Sequence, residues 1–225
     1  MRRDDPATWR IPGAWVGLKA IREEPLYRSL DSPPLRAALD AVLGESAWRE
    51  PRDWGGFLVT MADCAPEEWT LPARGWHVDA HFTRDPDARF GIRVFTFLDA
   101  VAPRSGGTLV VRGSHRLVRR YVAAMTAEER ESGYARLRDR FCASDPWLAE
   151  LTSGDAAAPG RVERFLGASH AIEGVEVGVE ELTGSPGDVV LAHPWILHVT
   201  APHAGDRPRM MLAKEVVARE PVARA

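Results

Sequence analysis

An imidazole and a carboxylate stand two residues apart in the run GWHVDAHF (75–82), at His77 and Asp79. In an extended chain, residues two apart leave on the same face. That spacing lets one short segment offer two ligands to a metal ion. His81 has the same parity and competes for the role. The strand pattern weakens at Thr83-Arg84-Asp85-Pro86, which favours His77 and Asp79. The plainer alternative is a surface ion pair or a core histidine, because such a triplet is common by chance.

Weight comes from the other end of the chain, GDVVLAHPWILHVTAPHAGDRPRMML (187–212). His193 precedes Pro194, which ends or bends a strand. His198 lies within the apolar run WILHV and points opposite to Leu197 and Val199. A lone polar residue on an inward face needs a partner, and a metal supplies one. His203 falls in the loop that follows. Two histidines and one carboxylate occupy one face of an octahedral iron and leave three positions open. Arg209 opens the next strand, where it comes back alongside His198. A guanidinium grips a carboxylate through two parallel hydrogen bonds and keeps its charge in a dry pocket. Arg207 competes, but Pro208 separates it from the strand. A solvated arginine at a strand end is the alternative for Arg209.

These residues need strands to carry them. GGFLVTM (55–61) reads as a buried strand, GWHVDAHF as a strand running into a loop, and RFGIRVFTFLDAV (89–101) as a strand rich in β-branched and aromatic residues. A Gly106-Gly107 turn leads into TLVV and GSH. Later strands are AIEGVEVGVEEL, DVVLA, WILHVT and RMMLAKEVVA. Helices flank them. Asp31 or Ser32 caps a helix that begins at Pro33-Pro34, buries Leu35, Leu39, Val42 and Leu43, and stops at Gly44. Trp15 to Leu30 is a weaker helix candidate. Residues 115–151 return to a helical pattern with Leu117, Tyr121, Ala124 and Met125 on one face, before a loop at 153–160. An insertion at this place commonly covers a pocket, and a mobile lid is one reading of it. The expected architecture is mainly β with flanking helices, closed or sandwiched.

A chain of 225 residues forms one sizeable domain, here 1–225, without disulfide staples. A net charge of -3 gives no broad attraction to nucleic acid or an anionic membrane. No apolar run reaches the ~20 residues of a membrane span. The N-terminus has no apolar segment of the signal-peptide kind. Cys64 and Cys142 do not make a disulfide framework and read as small buried hydrophobes. A cytoplasmic location is expected.

Taken together, WHVDAHF, SGGTLVVRGSH and HVTAPHAGDRPRMML resemble the phytanoyl-CoA dioxygenase family of iron(II)- and 2-oxoglutarate-dependent oxygenases. The family's C-terminal pattern is roughly His-x-Ser-x-Pro-Asn, with an arginine eleven residues after the histidine. This chain has His198, Thr200, Pro202 and Arg209 at those offsets. The resemblance covers Gly75 to about Lys214. It implies a double-stranded β-helix of jelly-roll or cupin type and the co-substrates 2-oxoglutarate and O2. It implies His77, Asp79 and His198 as the iron(II) ligands. It further implies that Arg209 binds the distal carboxylate of 2-oxoglutarate and that Thr200 adds a hydroxyl hydrogen bond. Related halogenases lack the carboxylate ligand, so Asp79 implies hydroxylation or a related oxidation. Two departures bear on the substrate: Arg112 stands where proline is usual, and His203 where asparagine is usual.

The expected substrate is a small polar or anionic metabolite. Arg74, Arg84, Arg89, Arg93, Arg104, Arg112 and Arg116 crowd the ligand segments, although most would simply be solvated. Arg93 and Arg112 are the foremost substrate-side candidates, with His203 beside them. Trp76 and Trp195 more often pack core than touch substrate. Two rivals remain at this point. One is a cupin-type metalloenzyme with no use for a keto acid. The other is an inactive β-helix protein that binds metal or ligand without turnover.

Overall fold

Alternating apolar and polar residues become strands wherever a neighbouring strand can accept their backbone groups. The computed structural model describes residue 5 and residues 14–16, 25–61 and 69–223. Its strands are β1 (Ala14–Val16), β2 (Gly56–Thr60), β3 (Ala88–Phe97), β4 (Thr108–Arg112), β5 (His170–Ile172), β6 (Val175–Leu182), β7 (Val189–Ala192), β8 (Leu197–Thr200) and β9 (Arg209–Ala223). They form two antiparallel sheets, ordered β1-β2-β9-β3-β7 and β5-β6-β4-β8. This is the jelly-roll arrangement that the sequence leads one to expect.

The larger sheet has two distinct faces. Ile92, Val94 and Val216 face outward onto Leu35, Leu39 and Leu43 of helix α1 (Pro33–Leu43), with Trp48 and Trp54 closing the cluster. Helix α1 follows Ser32 and ends at Gly44, whose φ of +104 suits glycine. Val42 is 41% exposed, off the Leu35-Leu39-Leu43 row that covers the sheet. On the other face, Phe95, Phe97 and Met211 form an apolar lining with Val101. Trp15 belongs to β1, and Pro25–Leu30 is a 3-10 turn, so the helix expected there is not found in the described part. Cys64 lies outside the described residues.

Helices occupy more of the chain after β4 than 115–151. They are α2 (Ser114–Ala124), α3 (Ala127–Arg130), α4 (Tyr134–Cys142), α5 (Pro146–Ser153) and the unforeseen α6 (Arg161–Phe165). Gly113 makes the turn into α2. Its φ is +82, and a Cβ there would meet the Glu176 carbonyl oxygen at 2.2 Å. In α2 the buried apolar residues are Leu117, Val118 and Val122, and Ala124 is exposed.

The helices share one core with the smaller sheet and the His77 segment. Leu137, Phe141, Trp147, Leu148, Leu151 and Phe165 are buried with Trp76, Val78, Phe82, Leu109, Leu197 and Val199. Together these helices make a packed wall, and opening it would uncover that apolar surface. Cys142 is buried and a free thiol, as expected.

Arg161 locks the wall to the chain that leads into His77. It is 3% exposed. Its guanidinium donates to the carbonyls of Leu71, Pro72, Glu150 and Leu151. No helix among the described residues is long and apolar enough to cross a membrane. Replacing Arg161 by Met leaves those carbonyls without their donor. We expect Arg161→Met to lose at least about 2 kcal/mol and to lower Tm by roughly 5–10 °C in a thermal melt.

Candidate active site

Backbone pairing places the candidate ligands before any side chain is considered. The peptide N–H of His77 donates to the His198 carbonyl at 3.0 Å, and the N–H of His198 donates back to the His77 carbonyl at 2.9 Å. This lone bridge, rather than the strand expected for GWHVDAHF, joins the segment to β8. The strand fails to extend because other groups take its hydrogen bonds. Asp79 and Ala80 both donate to the Pro194 carbonyl. The Tyr134 hydroxyl, from α4, accepts from the Val78 N–H at 3.2 Å and donates to the Val78 carbonyl. Both backbone groups of the residue between His77 and Asp79 are thus held by one phenol. On the other side of β8, the Ser114 hydroxyl accepts from the Leu197 N–H at 2.8 Å.

The result is a cluster of His77, Asp79 and His198, each offering a ligand atom within 4.8 Å of the others. Each imidazole has its Nδ1 against a carbonyl, Gly75 at 2.9 Å for His77 and Ile196 at 3.0 Å for His198. With Nδ1–H donating there, Nε2 carries the lone pair a metal needs. Burial pushes His198 down to about 4, against the pull of Asp79 and with help from His77 and Arg93. It is therefore neutral near pH 7, the protonation state of a ligand. Two imidazole nitrogens and one carboxylate oxygen gathered within 4.8 Å suit iron(II).

Arg93, on β3, faces the third ligand. Its Nε lies 2.9 Å from Asp79 Oδ2, and its Nη2 donates to Oδ1 at 3.2 Å. The guanidinium that the sequence offers to a substrate is thus engaged with the Asp79 carboxylate.

Arg209 opens β9 and is 1% exposed. Its Nε and Nη2 donate to Thr60 Oγ1 at 3.2 and 2.8 Å, and its Nη1 to Met211 Sδ at 3.6 Å. Among the described residues no carboxylate pairs with it. Burial alone lowers it to about 10, so it remains charged. A buried cation without a counter-charge costs several kcal/mol, and a bound anion removes that cost. A carboxylate would supply the counter-charge that Arg209 lacks among the described residues. Thr200 lies two residues beyond His198 on β8, on the same face by strand alternation. Thr60 was not foreseen, yet it follows the same rule as His198: a polar residue within an apolar strand, FLVT.

The remaining candidates are placed elsewhere. Arg112 is bound to Glu176 and Glu180, each at 2.8 Å, in an exposed network with Ser169. His203 is fully buried. Its Nδ1 accepts from Gly205 N–H at 3.0 Å, and its Nε2 faces the Arg207 carbonyl at 2.7 Å. Both nitrogens organise the turn that delivers Arg209, so neither is left for a substrate. Arg207 pairs with Asp99. His81 turns its Nδ1 to Thr83, and His193 stacks on His115. Trp76 and Trp195 are core residues, donating to the carbonyls of Pro72 and His81.

Comparison with known proteins accords with this arrangement. Residues 26–211 match the family model described as phytanoyl-CoA dioxygenase (PhyH). No curated protein matches the sequence. Among solved structures, the non-heme alpha-ketoglutarate-dependent epimerase SnoN from nogalamycin biosynthesis is 13% identical with a TM-score of 0.50, over 94% of this chain and 65% of that one. EvdO2 from Micromonospora carbonacea var. aurantiaca is 18% identical with a TM-score of 0.47, over 96% and 70%. AviO1 from Streptomyces viridochromogenes Tue57 is 17% identical with a TM-score of 0.45, over 90% and 64%. The chain thus spans about two thirds of the length of these structures, and the likeness to SnoN is one of fold. The family match extends over well more than half of the sequence and takes in all three candidate ligands and Arg209. The chain belongs to the phytanoyl-CoA dioxygenase family of iron(II)- and 2-oxoglutarate-dependent oxygenases.

Proposed function

We propose that this protein oxidises an unactivated C–H bond of a small polar metabolite, most simply by hydroxylation, with release of succinate and carbon dioxide. The carrying observation is the buried Arg209, which has no carboxylate partner among the described residues, in a chain that also gathers His77, Asp79 and His198. A cupin-type metalloenzyme has no use for such a cation. The reading also places the enzyme in the cytoplasm, where the Cys142 thiol stays reduced.

Iron(II) and 2-oxoglutarate, when bound, supply oxidative power from O2 that no side chain has. The chain supplies position. His77 Nε2, His198 Nε2 and an Asp79 oxygen would hold the metal. Arg93 keeps the Asp79 carboxylate oriented through one hydrogen bond from Nη2 and the close approach of its charged Nε edge. Arg209 receives the distal carboxylate of the oxo acid, with Thr60 fixing the guanidinium plane and the Thr200 hydroxyl adding a hydrogen bond. Phe95, Phe97 and Met211 exclude water and so strengthen each of these electrostatic contacts.

Adding iron(II) and 2-oxoglutarate without oxygen is expected to produce the visible metal-to-oxo-acid absorption band. In His77→Ala the band disappears. In Arg209→Ala the affinity for 2-oxoglutarate falls about 100-fold, the scale of breaking a buried charge pair. Thr60→Val lowers it by about tenfold through loss of the hydroxyl that accepts from both Nε–H and Nη2–H of Arg209. Iron bound with no band would favour the cupin-type alternative. Tyr134→Phe removes the hydroxyl that fixes Val78 and weakens iron(II) binding by roughly 10–100-fold, as measured by titration. Because SnoN is an epimerase, product analysis by mass is the check on hydroxylation: a gain of one oxygen is expected, and an unchanged mass would point to epimerisation.

A further inference from the structure

Beside the Arg93 guanidinium lies a cavity of about 200 Å³. Gly55, Gly56 and Ala213 provide small side chains or none, and Leu58, Arg93, Glu215, Lys214 and Asp53 complete the lining. Gly56 and Ala213 are partners across β2 and β9, and Glu215 is the partner of Arg93 across β9 and β3. The cavity therefore lies over three adjacent strands of the larger sheet and shares Arg93 with the metal cluster.

The charges of this cavity do not cancel. Arg93 and Glu215 are cross-strand neighbours, close enough in register to pair. Arg93 nonetheless reaches to Asp79, at 2.9 Å. Lys214 Nζ is engaged by Asp53 Oδ1 at 3.1 Å. Each cation has its own carboxylate, and the Glu215 carboxylate has no ion pair or hydrogen bond among the described residues. It is half-buried. A carboxylate in a small cavity, with both nearby cations already paired, favours a positive guest. The volume is below the ~300 Å³ at which drug-sized ligand pockets begin, so it suits a small group.

We infer that this cavity is a substrate subsite that takes an ammonium group on Glu215, making the substrate a small amine-bearing molecule. The inference rests on the active-site assignment above for its link to the reaction, but the binding itself needs neither metal nor oxo acid. It replaces the anionic substrate that the arginines led one to expect, because Arg93 and Arg112 already have acidic partners.

The test is ligand-observed NMR titration of the metal-free protein with n-propylammonium, propionate and n-propanol. Wild type is expected to bind n-propylammonium in preference to the other two. Glu215→Gln, which removes no described contact and should melt as wild type does, is expected to weaken that binding about tenfold. Ala213→Val, which narrows the cavity without changing charge, should weaken it as well. Equal affinity for n-propylammonium in wild type and Glu215→Gln, tighter binding of propionate, or no binding of n-propylammonium to wild type would each overturn the subsite. Because no iron is present, failure here is distinct from failure of the absorption test. Absence of that band together with Glu215-dependent amine binding would leave the subsite standing and remove the oxygenase reading.

Discussion

The reciprocal peptide hydrogen bonds between His77 and His198 are the constraint on which the site depends. They bring residues far apart in sequence to a ring-centroid separation of 4.2 Å. One of them is carried by β8. The other sits on a segment with no strand of its own, held at Val78 by Tyr134 and at Asp79 and Ala80 by the Pro194 carbonyl. A ligand set must be held within a fraction of an ångström to bind its metal well, and packed supports achieve this better than free loops. The helices after β4 are such a support. Their buried residues form one core with the segment they hold.

Electrostatics divides the interior into separate tasks. The cation of Arg93 is paired with Asp79, whereas the more deeply buried Arg209 faces a hydroxyl and a thioether. Burial depresses the proton affinity of both His198 and Arg209, with different outcomes. The imidazole of His198 is neutral near pH 7, and the Arg209 guanidinium keeps its charge with no carboxylate partner among the described residues. That contrast follows from the starting values of the two groups, near 6.5 and above 12.

Much of this was legible in the residues. Parity placed His77 and Asp79 together, the apolar run around His198 marked it as inward and in need of a partner, and Pro208 separated Arg207 from Arg209. The strands were legible for the same reason, because alternation reports a half-buried sheet. What escaped depended on partners distant in sequence. GWHVDAHF has a strand's composition, but a tyrosine side chain took the hydrogen bonds a strand would have needed. Arg112 and His203 looked available to a substrate because the acids of β6 and the backbone of the 203–207 turn cannot be paired with them from spacing alone. Arg161 carried no motif; its role is apparent only once four carbonyls from two segments converge on it.

The most direct measurement is a crystal structure of the protein grown without oxygen in the presence of iron(II) and 2-oxoglutarate. The account predicts one metal ion bound by Nε2 of His77, Nε2 of His198 and a carboxylate oxygen of Asp79. It also predicts that the distal carboxylate of the oxo acid lies on Arg209, which keeps its contact with Thr60. Metal at another cluster, or 2-oxoglutarate bound away from an unchanged Arg209, would contradict it.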